Sequence, residues 1–527
     1  MESDVNLALG DLREFADHHK LILNANKSYV SFFTTNKKLY NYEPRVRFDG
    51  QNISTVKHPK YLGFLLDPEF TCTKHIESLI TKSRRKLNIL KYISGRDWGV
   101  NAETLRTTYI ALIRPILEYG LPVYFCASDS NLQKLERVQL SAARIITGLR
   151  NSCPNKIVLY EADLQPLRFR GGAGLEKYFN KIISYSSHNR TSLFLRGWKS
   201  NQRLKKNSPM SLATEFNLIS REVECHSLKN CPSEGLLGVF FHTELQQAVN
   251  KADTVPALMK QMALQLINEI PGADIQIYTD GSKNEENQSG SGIYIKTPRE
   301  VRKIKLRNPD NCSVFRSELL AIEAGLEAIL NENNYGAVWI FSDSRSSIQH
   351  LKDWNNVGDR TGISILKLLR HIGVDHEVHL QWIPSHVDIY GNEVADNLAK
   401  QGTAEPLCST PSLTFDEIYS IRKNKDLKTW RVPPSHDWYK RSSPGGSIVL
   451  ACDRADQTAL SRFVSGHLRS CSFSHGNKVF PVCAKCGVAS ASPEHILSCL
   501  RLSRETFETD PLLALDFLRV SGLMDGV

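Results

Sequence analysis

The sequence has no run approaching the roughly 20 apolar residues that a membrane-spanning helix needs. It has no low-complexity tract and no fixed-period repeat. Its 12 cysteines among 527 residues are too sparse for a disulfide scaffold. The opening stretch, MESDVNLALGDLREFADHH, is acidic and lacks the basic and apolar regions of a signal peptide. These absences exclude a fibrous, disulfide-stapled or membrane-dominated protein. An intracellular chain without a membrane partner is expected, with nucleus and cytoplasm undecided. The composition itself is that of a globular protein, 41% hydrophobic and 23% charged. At roughly 100–200 residues per domain, the length accommodates two to four domains.

The net charge of +10 is unevenly spread. Residues 1–210 carry 33 Lys/Arg against 18 Asp/Glu, whereas residues 271–410 carry 14 against 19. A basic N-terminal third points to a polyanion partner, because Lys and Arg release counterions when they meet phosphate. Lys82, Arg84, Arg85 and Lys86 form the densest basic cluster. It reads equally well as a phosphate contact or as one solvated helix face.

Apolar spacing predicts helices over 7–20, 73–94, 101–119 and 131–148, the last closed by Gly148, and a strand over 27–33. Residues 166–270 read as a connector. From 271 the pattern changes. Strands are expected at 274–280, 290–296 and 301–307, then a helix at 313–332 with Phe315, Leu319, Ile322, Leu326 and Ile329 on one side. A strand at 337–343, a helix at 346–354, a strand at 377–383 and a helix at 391–402 complete a mixed α/β domain over 271–405. Residues 406–475 read as a helical linker, and 476–505 as a small Cys/His module.

Four acids stand at strand ends or on helices of the α/β domain: Asp280, Glu318, Asp343 and Asp396. Strand ends and the starts of following helices share one edge of such a sheet. Carboxylates converging there repel unless cations neutralise them, and all-oxygen sites suit Mg²⁺ or Mn²⁺. Two such ions activate water and stabilise the leaving oxygen in phosphodiester hydrolysis. Acids at these positions are also ordinary turn and capping residues.

The local words are more specific. Ile277-Tyr278-Thr279-Asp280-Gly281-Ser282, Ser317-Glu318-Leu319, Phe341-Ser342-Asp343-Ser344, Trp382-Ile383-Pro384-Ser385-His386-Val387 and Gly391-Asn392-Glu393-Val394-Ala395-Asp396 occur in that order. As a set they resemble the ribonuclease H family over about residues 271–405. The resemblance implies that Asp280, Glu318, Asp343 and Asp396 hold two Mg²⁺ or Mn²⁺ ions. It implies that His386 is the histidine of a loop before the last acid, and that the RNA strand of an RNA–DNA hybrid is cut. Bacterial members carry an Asn-containing stretch before the helix acid, which touches RNA 2′-hydroxyls. Here it reads Ser313-Val314-Phe315-Arg316-Ser317. Ser282, Ser313, Arg316 and Ser317 are the nucleic-acid contacts expected in its place.

Asn24-Ala25-Asn26-Lys27, Lys60-Tyr61-Leu62-Gly63, Arg114-Pro115-Ile116-Leu117-Glu118-Tyr119-Gly120 and Ala143-Arg144-Ile145-Ile146-Thr147-Gly148 resemble the C-terminal part of jockey-like non-LTR retrotransposon reverse transcriptases, over about residues 5–165. Reverse transcription needs palm carboxylates that include an aromatic-x-Asp-Asp turn. No such turn occurs in this sequence. The resemblance places it upstream of the matched segment, so the chain is not expected to polymerise DNA by itself. Residues 1–165 are expected to be the edge of a palm and a helical thumb.

Cys483-x2-Cys486-x8-His495-x3-Cys499 has the spacing of a tetrahedral, structural Zn²⁺ site. His467-x3-Cys471 is a second pair that could supply ligands instead. Cys72, Cys126, Cys153, Cys225, Cys231, Cys312, Cys408 and Cys452 lack ligand spacing and read as ordinary thiols. The fold class expected is α/β: a ribonuclease H-like mixed sheet with flanking helices, preceded by a helical thumb remnant and followed by the Cys/His module. The leading functional expectation is a hybrid-cleaving endoribonuclease, with RNA–DNA hybrid, other nucleic acid and a full-length reverse transcriptase of the same element as partners. An inactive nucleic-acid-binding remnant and an accessory polymerase part stay open.

Overall fold

The computed structural model describes residues 2–520 except 35, 49, 70, 96–97, 186–188, 198–207, 210, 213–234, 246–254, 333–334, 408–412 and 476. Cys225, Cys231 and Cys408 lie outside the described residues. No helix among those described is long and apolar enough to cross a membrane. The contacts divide the chain into two units. One comprises Met1–Leu175, Lys206–Leu212 and Lys425–Val527, the other Glu176–Lys205 and Ala213–Asn424.

The second unit is built on a six-stranded sheet. Its elements in chain order are β1 (Val239–His242), α1 (Pro256–Asn268), β2 (Ile275–Lys283), β3 (Ser289–Lys296), β4 (Val301–Arg307), α2 (Val314–Ile329), β5 (Val338–Ser342), α3 (Arg345–Lys352), α4 (Arg360–Ile372), β6 (Val378–Trp382), α5 (Tyr390–Gly402) and, as far as Asn424, α6 (Phe415–Arg431). The sheet order is β4-β3-β2-β5-β6-β1. β2, β3 and β4 run antiparallel, while β2, β5, β6 and β1 are parallel.

Helices cross over between parallel neighbours, so both faces of the central strands are covered. Every residue from Ile275 to Gly281 is accordingly buried, whereas edge strand β4 alternates between half-buried and exposed positions. Ile277, Ile293, Leu319, Ile322, Phe341, Leu366 and Leu380 are central members of the core.

Two glycines let the acid-bearing helices come close to the sheet. A Cβ on Gly281 would stand 2.6 Å from the Glu318 backbone nitrogen, and one on Gly292 would strike the backbone of Ala395 and Ala399. Phe315 departs from the expected apolar stripe of α2. It is 37% exposed, with its ring edge-on to His350.

The sheet also has an element the sequence reading did not supply. Val239–His242, inside the expected connector, forms the sixth strand beside β6. Helix α4 was likewise not anticipated, although it buries Ile363, Leu366, Leu369 and Ile372 at helical spacing.

In the first unit, expected helices form at Thr73–Tyr92, at Ala102–Leu112, where the span expected to run to 119 breaks before a separate helix Arg114–Glu118 that has Pro115 in its first turn, and at Asp129–Thr147. Asn101 caps Ala102–Leu112 and Ser128 caps Asp129–Thr147, and Gly148 closes the last in the left-handed conformation. The strand expected at 27–33 is only Tyr29–Val30, because only these two residues find a ladder partner, in Ser54–Thr55.

The C-terminal segment folds with these helices. Glu161 is fully buried and accepts from Tyr439 Oη, Arg441 Nε and Ser447 Oγ. Arg454 donates to the carbonyls of Ile145 and Ile146. Those carbonyls end the helix Asp129–Thr147 and lack partners within it.

Candidate active site and metal centre

Asp280, Glu318 and Asp343 converge at one edge of the sheet. Asp280 lies within β2, which continues three residues past it. Glu318 lies in the second turn of α2. Asp343 directly follows β5. Each offers a carboxylate oxygen within 4.8 Å of the others. Parallel pairing of β2 with β5 sets this proximity, because Thr279 lies opposite Ser342 and the next residues are the two acids.

Asp396, on α5, has its carboxylate beside that of Asp280 and accepts from Lys400 Nζ at 2.6 Å. Asn392 Nδ2 reaches Asp343 Oδ2 at 3.5 Å.

The acids strain against one another. Burial, then the charges of Asp343 and Asp396, push the Asp280 carboxyl up to about 8. Burial and the charges of Asp280 and Asp343 also raise Glu318. Glu318 Oε2 is buried with no hydrogen-bond partner. An orphaned oxygen among carboxylates that resist ionisation is what a hard divalent cation would relieve. Asp280, Glu318 and Asp343 form the group that could hold such an ion, while Asp396 is not part of that trio and meets it through Asp280.

His386 is exposed on the loop between β6 and α5. It has φ +56, as does Asp388, so this loop takes a left-handed course at two non-glycine positions. Such conformations cost free energy and persist only where surrounding contacts enforce them.

The second cluster is Cys483, Cys486, His495 and Cys499. Cys483 Sγ and Cys499 Sγ are 3.9 Å apart. His495 Nε2 is 3.3 Å from Cys486 Sγ and 3.0 Å from Cys499 Sγ. A Zn–S distance of about 2.3 Å gives an S–S tetrahedral edge of about 3.8 Å, close to the Cys483–Cys499 separation.

The turn Cys483–Gly487 supplies two thiols, with Gly487 at φ +68. The helix Pro493–Leu500 presents His495 and Cys499 one turn apart. Backbone N–H groups of Ala489 and Val488 hold the Cys486 thiol down to about 6, favouring the thiolate a metal binds. His467 and Cys471 stand outside the cluster; their side chains engage the carbonyls of Ser465 and Ser472. Lys485 Nζ donates to the Cys499 carbonyl at 2.6 Å, tying the turn to the helix.

Residues 272–404 match the RNase H family. The α/β domain over those residues is RNase H-like. Among similar proteins is the "Probable RNA-directed DNA polymerase from transposon X-element" of Drosophila melanogaster, 23% identical over 205 residues, which is 39% of this chain and 22% of that protein. The RNA-directed DNA polymerase from mobile element jockey, also of Drosophila melanogaster, is 27% identical over 141 residues, 27% of this chain and 15% of that protein. The chain thus spans less than a quarter of either relative. The RNase H1 of the halophilic archaeon Halobacterium salinarum is 17% identical, with 25% of this chain covering 99% of that one at a TM-score of 0.22. The resemblance to jockey-like non-LTR elements and the RNase H-like mixed α/β fold are borne out.

Within the RNase H domain, the expected nucleic-acid contacts have partners of their own. Ser313 caps α2 by accepting from Arg316 N, and its own N–H donates to Glu417. Arg316 is buried and paired with Glu417. Ser317 is fully buried, its hydroxyl turned to Cys312 Sγ. Ser282, near the end of β2, is half-buried. In the first unit, Lys82, Arg84, Arg85 and Lys86 are exposed around a buried Ser83.

Two residues at the site had escaped notice. Lys400 was signalled by its i,i+4 spacing from Asp396. Glu417 was signalled only as the far end of a Thr414-x-x-Glu417 capping box, whose two reciprocal hydrogen bonds form; its partners Ser313 and Arg316, about a hundred positions earlier, left no local sign.

Proposed function

We propose that the RNase H domain hydrolyses the RNA strand of RNA–DNA hybrids endonucleolytically. The observation that carries this reading is the trio of buried Asp280 and Glu318 with half-buried Asp343, one oxygen of Glu318 being left without a partner. Divalent cations held there would supply a nucleophilic water and charge stabilisation of the leaving oxygen. The four carboxylates hold and space the cations, and Lys400 balances their charge in the resting site. His386, exposed on its loop before Asp396, would serve as a proton shuttle at a ring nitrogen. The chain would not reverse transcribe by itself, since no aromatic-x-Asp-Asp turn occurs in its sequence. Its exposed basic helix 73–92 would contact nucleic acid, and a full-length reverse transcriptase of the same element is the natural partner.

The test is cleavage of a labelled RNA–DNA hybrid with Mg²⁺ or Mn²⁺, beside single- and double-stranded RNA controls. Cleavage within the RNA strand of the hybrid alone is expected. Absence of cleavage with salt-sensitive hybrid binding retained would overturn the enzyme reading and favour a binding remnant.

A further inference from the structure

Glu417 lies beyond the RNase H match, which ends at residue 404. It sits in the first turn of α6, only 5% exposed. Its two oxygens accept from four donors. Oε1 takes Ser313 N at 2.9 Å and Ser313 Oγ at 3.3 Å. Oε2 takes Arg316 Nη1 and Thr414 N, each at 3.0 Å. Ser313 is the cap of α2, and Arg316 stands two residues before Glu318. The anchored segment is therefore the first turn of the helix that carries an active-site acid.

The Glu318 carboxyl meets the Asp280 side chain and the Gly281 backbone N–H through one oxygen, while Oε2 has no partner. Its backbone is pressed against Gly281 on the strand side. The place of its carboxylate depends also on where α2 begins, which Glu417 braces through Ser313 and Arg316. The first N–H groups of any helix lack intrahelical partners, so this is where fraying starts.

We propose that Glu417 is a positioning residue for the RNase H active site, acting on Glu318 through Ser313 and Arg316. This rests on the hybrid-cleavage reading above. The contact is a permanent brace rather than a plug over a substrate site. Arg316 is 8% exposed, and withdrawing the carboxylate would take an ion-pair acceptor from a buried guanidinium. A substrate would have to meet that cost to displace it. The catalytic unit of this chain therefore extends past the family boundary into the segment Leu413–Ile418.

The test uses the full chain, with Glu417→Gln, Glu417→Asp and the double variant Arg316→Gln/Glu417→Gln. Circular dichroism and thermal unfolding establish which variants are folded. Steady-state cleavage of the hybrid is then measured across Mn²⁺ concentration. For folded Glu417→Gln, kcat should fall roughly tenfold and the half-saturating Mn²⁺ concentration rise several-fold, while KM for the hybrid stays within about threefold. The neutral double variant, which leaves no buried charge unpaired, should recover much of kcat.

Unchanged kcat and unchanged Mn²⁺ dependence in both single variants would overturn the proposal. So would a gain in activity, which would make Glu417 a plug. If the wild type does not cleave, the hybrid-cleavage reading fails separately. Positioning is then read from direct Mn²⁺ titration, where equal affinities of wild type and variants would overturn it. A wild type that binds no Mn²⁺ would overturn both.

Discussion

Lys400 donates a 2.6 Å hydrogen bond to Asp396, one turn earlier on α5, and so places a cation against the last of four clustered acids. The Lys400 side chain is about half exposed, while that of Asp396 is largely buried. The ammonium neutralises part of the acid cluster, and it competes with any divalent cation for the same carboxylate.

Replacing Lys400 with Met should therefore tighten metal binding. The concentration of Mg²⁺ giving half-maximal cleavage is expected to fall about threefold, with kcat at saturating Mg²⁺ little changed. A rise in the half-maximal concentration would mean that Lys400 orients Asp396 rather than competing for it.

Asp280→Asn separates chemistry from folding. At neutral pH the metal-free Asp280 carboxyl largely keeps its proton, its value having been pushed up to about 8 by burial and by Asp343 and Asp396. Asparagine mimics that neutral form. The variant should melt at or above the wild-type temperature without metal, yet lose at least about a hundredfold in turnover and lose the stabilisation that Mn²⁺ gives the wild type. A substantial drop in the metal-free melting temperature would contradict this account.

The Cys/His cluster should carry one Zn²⁺ per chain, detected by elemental analysis of the purified protein. Cys499→Ser should abolish it, since its sulfur lies 3.0 Å from His495 Nε2 within the four-ligand group. Chelation should lower the melting temperature, because a structural zinc site contributes folding free energy. Metal-free protein of undiminished stability would dispose of a structural role.

Acid should destabilise the unit holding His467. Burial pushes this imidazole down to about 4, against 6.5 for an unperturbed ring, while Nδ1 engages the Ser465 carbonyl. Between those values the unfolded chain binds a proton that the folded chain refuses. Stability is thus full above about pH 6.5 and falls as pH drops toward 4. Thermal unfolding from pH 4 to 7 should show the slope, and His467→Gln should flatten it by on the order of 1 kcal/mol across that interval. An equal slope in the variant would assign the acid sensitivity elsewhere.

The RNase H strands and helices were legible because their burial pattern repeats along the chain. Ile275 to Gly281 are enclosed on both faces, and α2 buries Leu319, Ile322, Leu326 and Ile329 at helical spacing. Strand Val239–His242 was less legible. It is four residues long and gains its place by pairing with β6, a partner more than a hundred residues away. Helix α4 carried a readable apolar period that went unused.

The sequence by itself determined the chemistry: which acids, which thiols and in what order. Asp280, Glu318, Asp343 and Asp396, and the Cys483 to Cys499 set, are recognisable because spacing along one strand, turn or helix fixes local geometry. Only the tertiary structure decided what surrounds them. The parallel register of β2 and β5 brings Asp280 and Asp343 within reach, Gly281 admits the helix bearing Glu318, and Glu417 takes up the Ser313 and Arg316 groups that sequence reading had assigned to RNA. Such partners are joined by packing across long stretches of chain, and no local period encodes them.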